Sequence, residues 1–426
     1  MNSLKFGVYK YHIVCADGAL LRKQLIVLQD EAGGIIGWTD FHRYARGGKR
    51  ALSRSIDAGQ DNRCVYVAQL LNYVFFQRYH IKRLIDIEAV MVKDFLRDYG
   101  LCRLPDDGAD THRAKNTVNL CISAVIDFLD LVIADHPSCK MKVSDLYRTE
   151  KVFVRKSRRY VEKKVPVFEI NYRPSSRAIF RDIPEGAFQI IMDEIARNHR
   201  NILMLTACSA FAGLRPSECC NVRRADSVLG PGLDFEVIDG EVTNVTIDLR
   251  TEFNLRSDLV SVGGIKKPRK QKVYHAFLKA FVDCYNTYIK YIEGKPYESA
   301  YGALTNTSVG KAYTYPAYRA AFQKAVKACI PTMLASNDPQ VVNYGHHLQK
   351  THISPHILRH WYSIKLVLYG EDVAGLMYWR GDTSPESALP YITGKSELEK
   401  QYKLVNNEAF DYLLWRAGKI EEEKHD

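Results

Sequence analysis

Apolar residues recur along the chain with a helical period in its first half. Val118, Cys121, Ile122, Val125, Phe128, Leu129 and Val132 fall at three- and four-residue steps, which is one apolar face of a helix. Val67, Leu70, Leu71, Val74 and Phe75 repeat the pattern earlier, and Pro105 with the Asp106-Asp107-Gly108 turn separates the two runs. This spacing predicts a small all-helical domain over residues 61–139. Residues 1–60 look mixed. Ile26-Val27-Leu28 reads as strand, Ala32-Gly33-Gly34 as a turn and Gly47-Gly48-Lys49-Arg50 as a loop, so this stretch is an accessory element of unreadable role.

A second, larger region begins after Pro184 and runs over 184–426. It opens with a helical run from about 185 to 209. Val242, Val245 and Ile247 then alternate as in a strand, and the Gly- and Lys-rich turn VGGIKKPRKQKVYHA follows. Phe277, Phe281, Cys284, Tyr288 and Tyr291 trace another helical face, and the last third is mostly helical. The fold class expected is mainly α with a small β-sheet (α+β). At 426 residues the chain is long enough for two or three domains.

Charge adds a third segment between these two. The net charge is +11, and an excess of this size inclines a chain toward a polyanion. Over 140–164 ten lysines and arginines stand against Asp145, Glu150 and Glu162, with Tyr147, Phe153 and Tyr160 interleaved. Residues 140–183 therefore read as a basic interdomain linker. Its charge can simply keep it extended, or Arg155, Lys156, Arg158 and Arg159 can strap it to a DNA backbone; a DNA partner favours the strap.

Other signals exclude function classes. The ten cysteines form no CxxC pair, so zinc has no spacing support and buried packing is the expectation. No stretch reads as apolar for long enough to span a bilayer, and the N-terminus lacks the unbroken apolar segment of a signal peptide. A cytoplasmic protein without a membrane partner is expected.

Transesterification of a DNA phosphodiester needs a nucleophile, cations for the non-bridging oxygens and a proton for the leaving sugar oxygen. Tyrosine can hold the bond energy as a phosphotyrosine. Arginine stays charged and reaches two oxygens at once, and lysine or histidine can supply the proton. The chain carries these groups in order. TACSAFAGLRPSECCNV holds Arg215, with Glu218 three residues on. SPHILRHWYSIKLVLYG puts His356 and Arg359 three residues apart on one helix face. MYWRGDTSPESALPYITG ends the series with Tyr391. His360 and Trp361 are expected to pack the helix.

In these three boxes the chain resembles the tyrosine recombinase (phage integrase) family, over roughly residues 185–405. GLRPSE resembles the first arginine box, HILRH the His-x-x-Arg-His box, and the glycine-turn-tyrosine ending the nucleophile segment. Gly381-Asp382 stands where the family has Gly-His. Asp382 lies 23 residues after Arg359 and 9 before Tyr391, which are the family's intervals. The resemblance implies a helical core-binding domain at 61–139 followed by a recombinase catalytic domain, and an enzyme that cuts and rejoins double-stranded DNA through a 3′-phosphotyrosine at Tyr391.

It also implies roles. Arg215 and Arg359 hold the phosphate, His356 hydrogen-bonds it and helps manage the tyrosine proton, and Glu218 braces the site. Lys266 protonates the leaving 5′ oxygen, with Lys267 as competitor in the same turn. Neither metal nor cofactor is needed. Asp382 departs from the family's His or Trp, since an ionised carboxylate repels a phosphate. Three outcomes are open: Asp382 turns away to brace an arginine, is protonated, or weakens the site, with Trp379 and Arg380 near enough to substitute. Past Tyr391, Ala409, Phe410, Leu413 and Leu414 form an apolar face that docks on the chain's own core or, as in the family, on a neighbouring subunit of a tetramer. Two rival readings remain: a non-catalytic DNA-binding protein on the same fold, and a relaxing enzyme of the type IB topoisomerase kind.

Overall fold

The computed structural model describes residues 4–45, 62–105, 107, 112–154, 159–170, 172–173, 183–382, 385, 388 and 391–392. Its chain divides into two compact units, unit 1 formed by 1–13 and 21–179 and unit 2 by 14–20 and 180–426. The protein is mainly helical with three small sheets.

Unit 1 opens with more strand than its composition suggests. β1 (Lys5–Val14), β2 (Leu20–Gln29) and β3 (Ile35–Trp38) form a three-stranded sheet in that order, followed by the short α1 (Phe41–Ala45). The weak apolar alternation of β1 hides it in the sequence. Phe6 enters the helical core beside Phe41, Phe75 and Phe76, with ring centroids 5.4–5.9 Å away. The Asn72 side chain accepts from the Phe6 backbone N–H at 2.6 Å and donates to its carbonyl at 2.9 Å, so it binds to β1 as a neighbouring strand would. β1 is thus built onto the helical domain, while residues 14–20 group with unit 2; Gly47 to Arg50 lie outside the described residues.

The helices follow the apolar steps. α2 (Arg63–Asn72), α3 (Ala89–Gly100) and α4 (Lys115–Asp135) bury the residues that the spacing marks, including Val67, Leu70, Leu71 and all seven of the α4 stripe. One expectation is corrected: α4 is long and apolar enough to cross a membrane by length and composition. Its apolar face is used inside unit 1, where Cys121, Val125, Phe128 and Leu129 have no exposure, as in the core helix of a soluble fold.

The 140–183 segment is not simply an extended linker. β4 (Tyr147–Val154) and β5 (Arg159–Pro166) pair antiparallel through eight residues each. Val, Thr and aromatic residues favour the pleat, and Glu150 opposite Lys163 with Lys151 opposite Glu162 sets unlike charges across the strands. Arg155, Lys156 and Arg158 lie outside the described residues. Arg159 begins β5, opposite Val154.

Unit 2 is built around α6 (Leu203–Phe211), every residue of which is buried. It follows α5 (Glu185–Asn198) and precedes the four-residue α7 (Pro216–Cys219). The third sheet, antiparallel in the order β6 (Leu233–Ile238), β7 (Glu241–Asp248) and β8 (Lys270–Lys272), stands before α8 (Leu278–Ile292). Then come α9 (Tyr315–Leu334), α10 (Pro339–Lys350), α11 (His356–Leu368) and α12 (Val373–Arg380). α6 packs on α8 and α11. Trp361 of α11 stacks on Phe188 of α5 with centroids 3.8 Å apart, and Lys365 pairs with Glu185 at 2.6 Å. These contacts seat α11, and the site grows from its buried face.

Candidate active site

The site begins at a turn that only glycine fits. After α6 the chain reverses at Gly213, whose φ is +63° and where a Cβ would lie 2.4 Å from the Tyr362 ring. Two residues on, Arg215 precedes α7, which Pro216 starts. Glu218 closes the turn: its carboxylate accepts from the Arg215 backbone N–H at 3.1 Å and from Arg215 Nη1 at 3.2 Å. Glu218 is wholly buried, which penalises its charge, yet its pKa is lowered because Arg269, Arg215 and Arg359 surround it. Arg269 Nη2 reaches the same carboxylate at 2.9 Å.

α11 supplies the second arginine. Arg359, 2% exposed, donates through Nη1 to the Gly213 carbonyl and through Nη2 to the Arg380 carbonyl at 2.9 Å. Burial, Arg215 and Arg380 lower its pKa to about 9, against the opposing pull of Asp382 and Glu218.

Asp382 joins these parts. It follows Gly381, which ends α12 in the left-handed conformation at φ +61°. Oδ1 accepts from Arg215 Nη2 at 2.7 Å and from Arg359 Nη2 at 3.0 Å, while Arg380 Nε stands 3.1 Å from Oδ2. Of the three outcomes that the sequence left open for this residue, the structure has the bracing one. Three guanidiniums thus hold this carboxylate as their ion-pair partner.

Trp379 does not substitute, because its indole N–H donates to Glu371 at 3.1 Å and its ring packs on Tyr274, 4.9 Å away. Arg380 does enter the site. Its guanidinium lies 4.9 Å from the centroid of the Tyr391 ring.

Tyr391 is 5% exposed, and burial raises its phenol's pKa against the pull of Arg380, Ser363 and Arg359. Its hydroxyl is hydrogen-bonded to Nδ1 of His360, which does more than pack the helix. The His356 ring is set edge-on to His360 with centroids 4.8 Å apart. Burial and neighbouring cations push both imidazoles down to about 4. For His356 those neighbours are His360, Arg359, Arg215 and Arg380; for His360 they are Arg380 and Arg359.

The lysine turn separates its two candidates. Lys266 is exposed. Lys267 is half-buried, and its pKa is lowered by burial, then by Arg215, Lys266 and Arg359, with Asp382 pulling the other way. Lys267 thus shares the electrostatic field of the arginines, and Lys266 stands next to it in the same turn. Arg269 fixes the turn by donating to the Lys267 carbonyl at 2.9 Å and to Gln271 at 2.8 Å.

Arg215, Glu218, Arg359, Asp382 and Tyr391 thus come together with Lys267, His360, Arg269 and Arg380, which the sequence ranked low or missed. The helical step from His356 to His360 and the position of Arg380 beside Gly381-Asp382 were the available signals. Five cations face two carboxylates around a buried phenol. Such a site suits a phosphorus centre that gains negative charge during reaction.

No family model matches the chain, and no curated protein matches it. Among solved structures it is similar to the Tn1549 transposon integrase in complex with transposon right end DNA, at 15% identity and a TM-score of 0.48 over 80% of this chain and 94% of that one. It is similar to the XerH site-specific recombinase bound to difH substrate, at 14% identity and TM-score 0.44 over 77% and 74%. The third is a lambda integrase dimer bound to a COC′ core site, at 13% identity and TM-score 0.42 over 82% and 93%. It is to integrases and recombinases that the chain is similar in structure.

Proposed function

We propose that the chain is a tyrosine-type site-specific recombinase, cutting and rejoining double-stranded DNA through a 3′-phosphotyrosine at Tyr391. The observation that carries this reading is the pairing of Arg215 and Arg359 on one carboxylate, with Arg380 linking the same carboxylate to the Tyr391 ring. Residues distant in sequence are gathered for a single anionic centre. The phosphate's non-bridging oxygens take the place beside Arg215 and Arg359, His356 hydrogen-bonds them from the rim, and Lys267 protonates the departing 5′ oxygen. Glu218 and Asp382 hold the guanidiniums in position before DNA arrives, which lowers the reorganisation needed during the reaction.

Integration or excision of a mobile element by a tetramer on two DNA sites is the biological role that the motif resemblance favours. The test uses nicked suicide duplexes cut from the DNA on either side of the chain's own gene. Wild type forms a denaturant-stable protein–DNA adduct and Tyr391→Phe forms none. Tight binding to the same duplexes with no wild-type adduct would reassign the chain as a DNA-binding protein.

A further inference from the structure

This inference rests on the recombinase reading and assigns a role to a residue outside its three boxes' usual chemistry. His360 is the group in direct contact with the atom that attacks. Its Nδ1 meets the Tyr391 hydroxyl, and the two rings lie 5.9 Å apart at 38°. Because burial raises the phenol's pKa, the hydroxyl keeps its proton at neutral pH and donates; Nδ1 accepts. The groups that face His360 are Arg359 and His356 on its own helix, Arg380 from α12 and Tyr391 itself. Burial, Arg380 and Arg359 all disfavour its charged form, so the imidazole is neutral at rest with its lone pair on the phenol.

We propose that His360 is a catalytic residue that takes the proton from the Tyr391 hydroxyl as the phenol attacks phosphorus. The bond from the Tyr391 oxygen to phosphorus forms while the bond from phosphorus to the 5′ oxygen breaks. The phenolic proton passes to His360 Nδ1, and the 5′ oxygen receives a proton from the Lys267 ammonium. Religation returns both protons. After burial, Arg380 and Arg359 make His360 a weak base at rest, and Arg359 is one of the two arginines that the phosphate meets, so substrate entry strengthens the base. His356, one helical turn before His360, is left to hydrogen-bond the phosphate.

The experiment measures single-turnover adduct formation on nicked suicide duplexes from either side of the chain's own gene, carrying a normal or a 5′-bridging phosphorothiolate linkage. The thiolate leaves without protonation, so it bypasses the acid and not the base. His360→Asn keeps a polar atom near the Nδ1 position but cannot take a proton. The expected result is a fall of about 100-fold on both linkages, with a rate that climbs as pH rises and tyrosinate forms. Lys267→Ala recovers on the phosphorothiolate and His360→Asn does not. Free imidazole restores part of the rate to His360→Ala, which guards against a folding defect in one variant.

A His360→Asn rate and pH profile equal to wild type would overturn the proposal, as would full recovery on the phosphorothiolate. Absence of any wild-type adduct on either linkage would overturn the recombinase reading itself and this role with it.

Discussion

Asp382 Oδ1 lies 2.7 Å from Arg215 Nη2, although 167 residues separate the two in the chain. The same oxygen accepts from Arg359 at 3.0 Å. A carboxylate in this place looks like a defect while only its charge is considered. Its partners make it the internal counter-ion of a three-arginine cluster.

Removing that charge is expected to cost stability. Asp382→Asn keeps the shape but leaves Arg215, Arg359 and Arg380 to repel one another, and breaking a buried pair in this way costs about 3–5 kcal/mol. Asp382→His, which installs the residue the family uses, is expected to destabilise as well and to lose adduct formation. Thermal melts of the three proteins decide it. A histidine variant as stable and as active as wild type would show the brace to be dispensable.

The two imidazoles set an acid limit. Their folded pKa values are near 4 and the ordinary value is 6.5, so the unfolded chain binds protons that the folded chain refuses. Stability therefore falls as pH drops from about 6.5 to 4. Urea denaturation across that window, on wild type and on a His356→Asn, His360→Asn double variant, measures the loss. The double variant is expected to show a flatter profile.

Of the paired lysines, Lys267→Ala is expected to slow adduct formation by about 100-fold or more. Lys266→Ala is expected to change it little, because its side chain is exposed. The reverse order of effects would return the acid to Lys266.

Gly213→Ala is expected to lose about 1–3 kcal/mol through its positive φ alone. The added methyl also strikes the Tyr362 ring and displaces the carbonyl that Arg359 grips. The expected signature is a lower melting temperature together with lost cleavage. Unchanged cleavage in a destabilised protein would separate the turn from the arginine.

What was legible in the sequence divides by the range of the interaction. Helices with strong apolar stripes, α4 and α8 among them, show themselves because their period is local. Of the first sheet, β2 shows itself in Ile26-Val27-Leu28 but β1 does not, since β1 is held by Asn72 and Phe75 from far along the chain. The arginines and the tyrosine were readable from motif order. The choice between Lys266 and Lys267 was not, because adjacent residues of a turn point in different directions and only the fold says which one turns inward. The role of Asp382 was hidden for the same reason, since its partners come from α7 and α11. His360 was passed over because a histidine on a buried helix face is usually packing.

Arg359 has a consequence for how such a chain can change over time. Its guanidinium ties the turn at Gly213, the end of α12 and Asp382 into one junction. Lysine, with a single point of charge, cannot make those connections in that geometry. A lineage that abandoned cleavage could discard the Tyr391 hydroxyl at little structural cost. It could not discard Arg359 without losing the junction, so this arginine would outlive the reaction it serves.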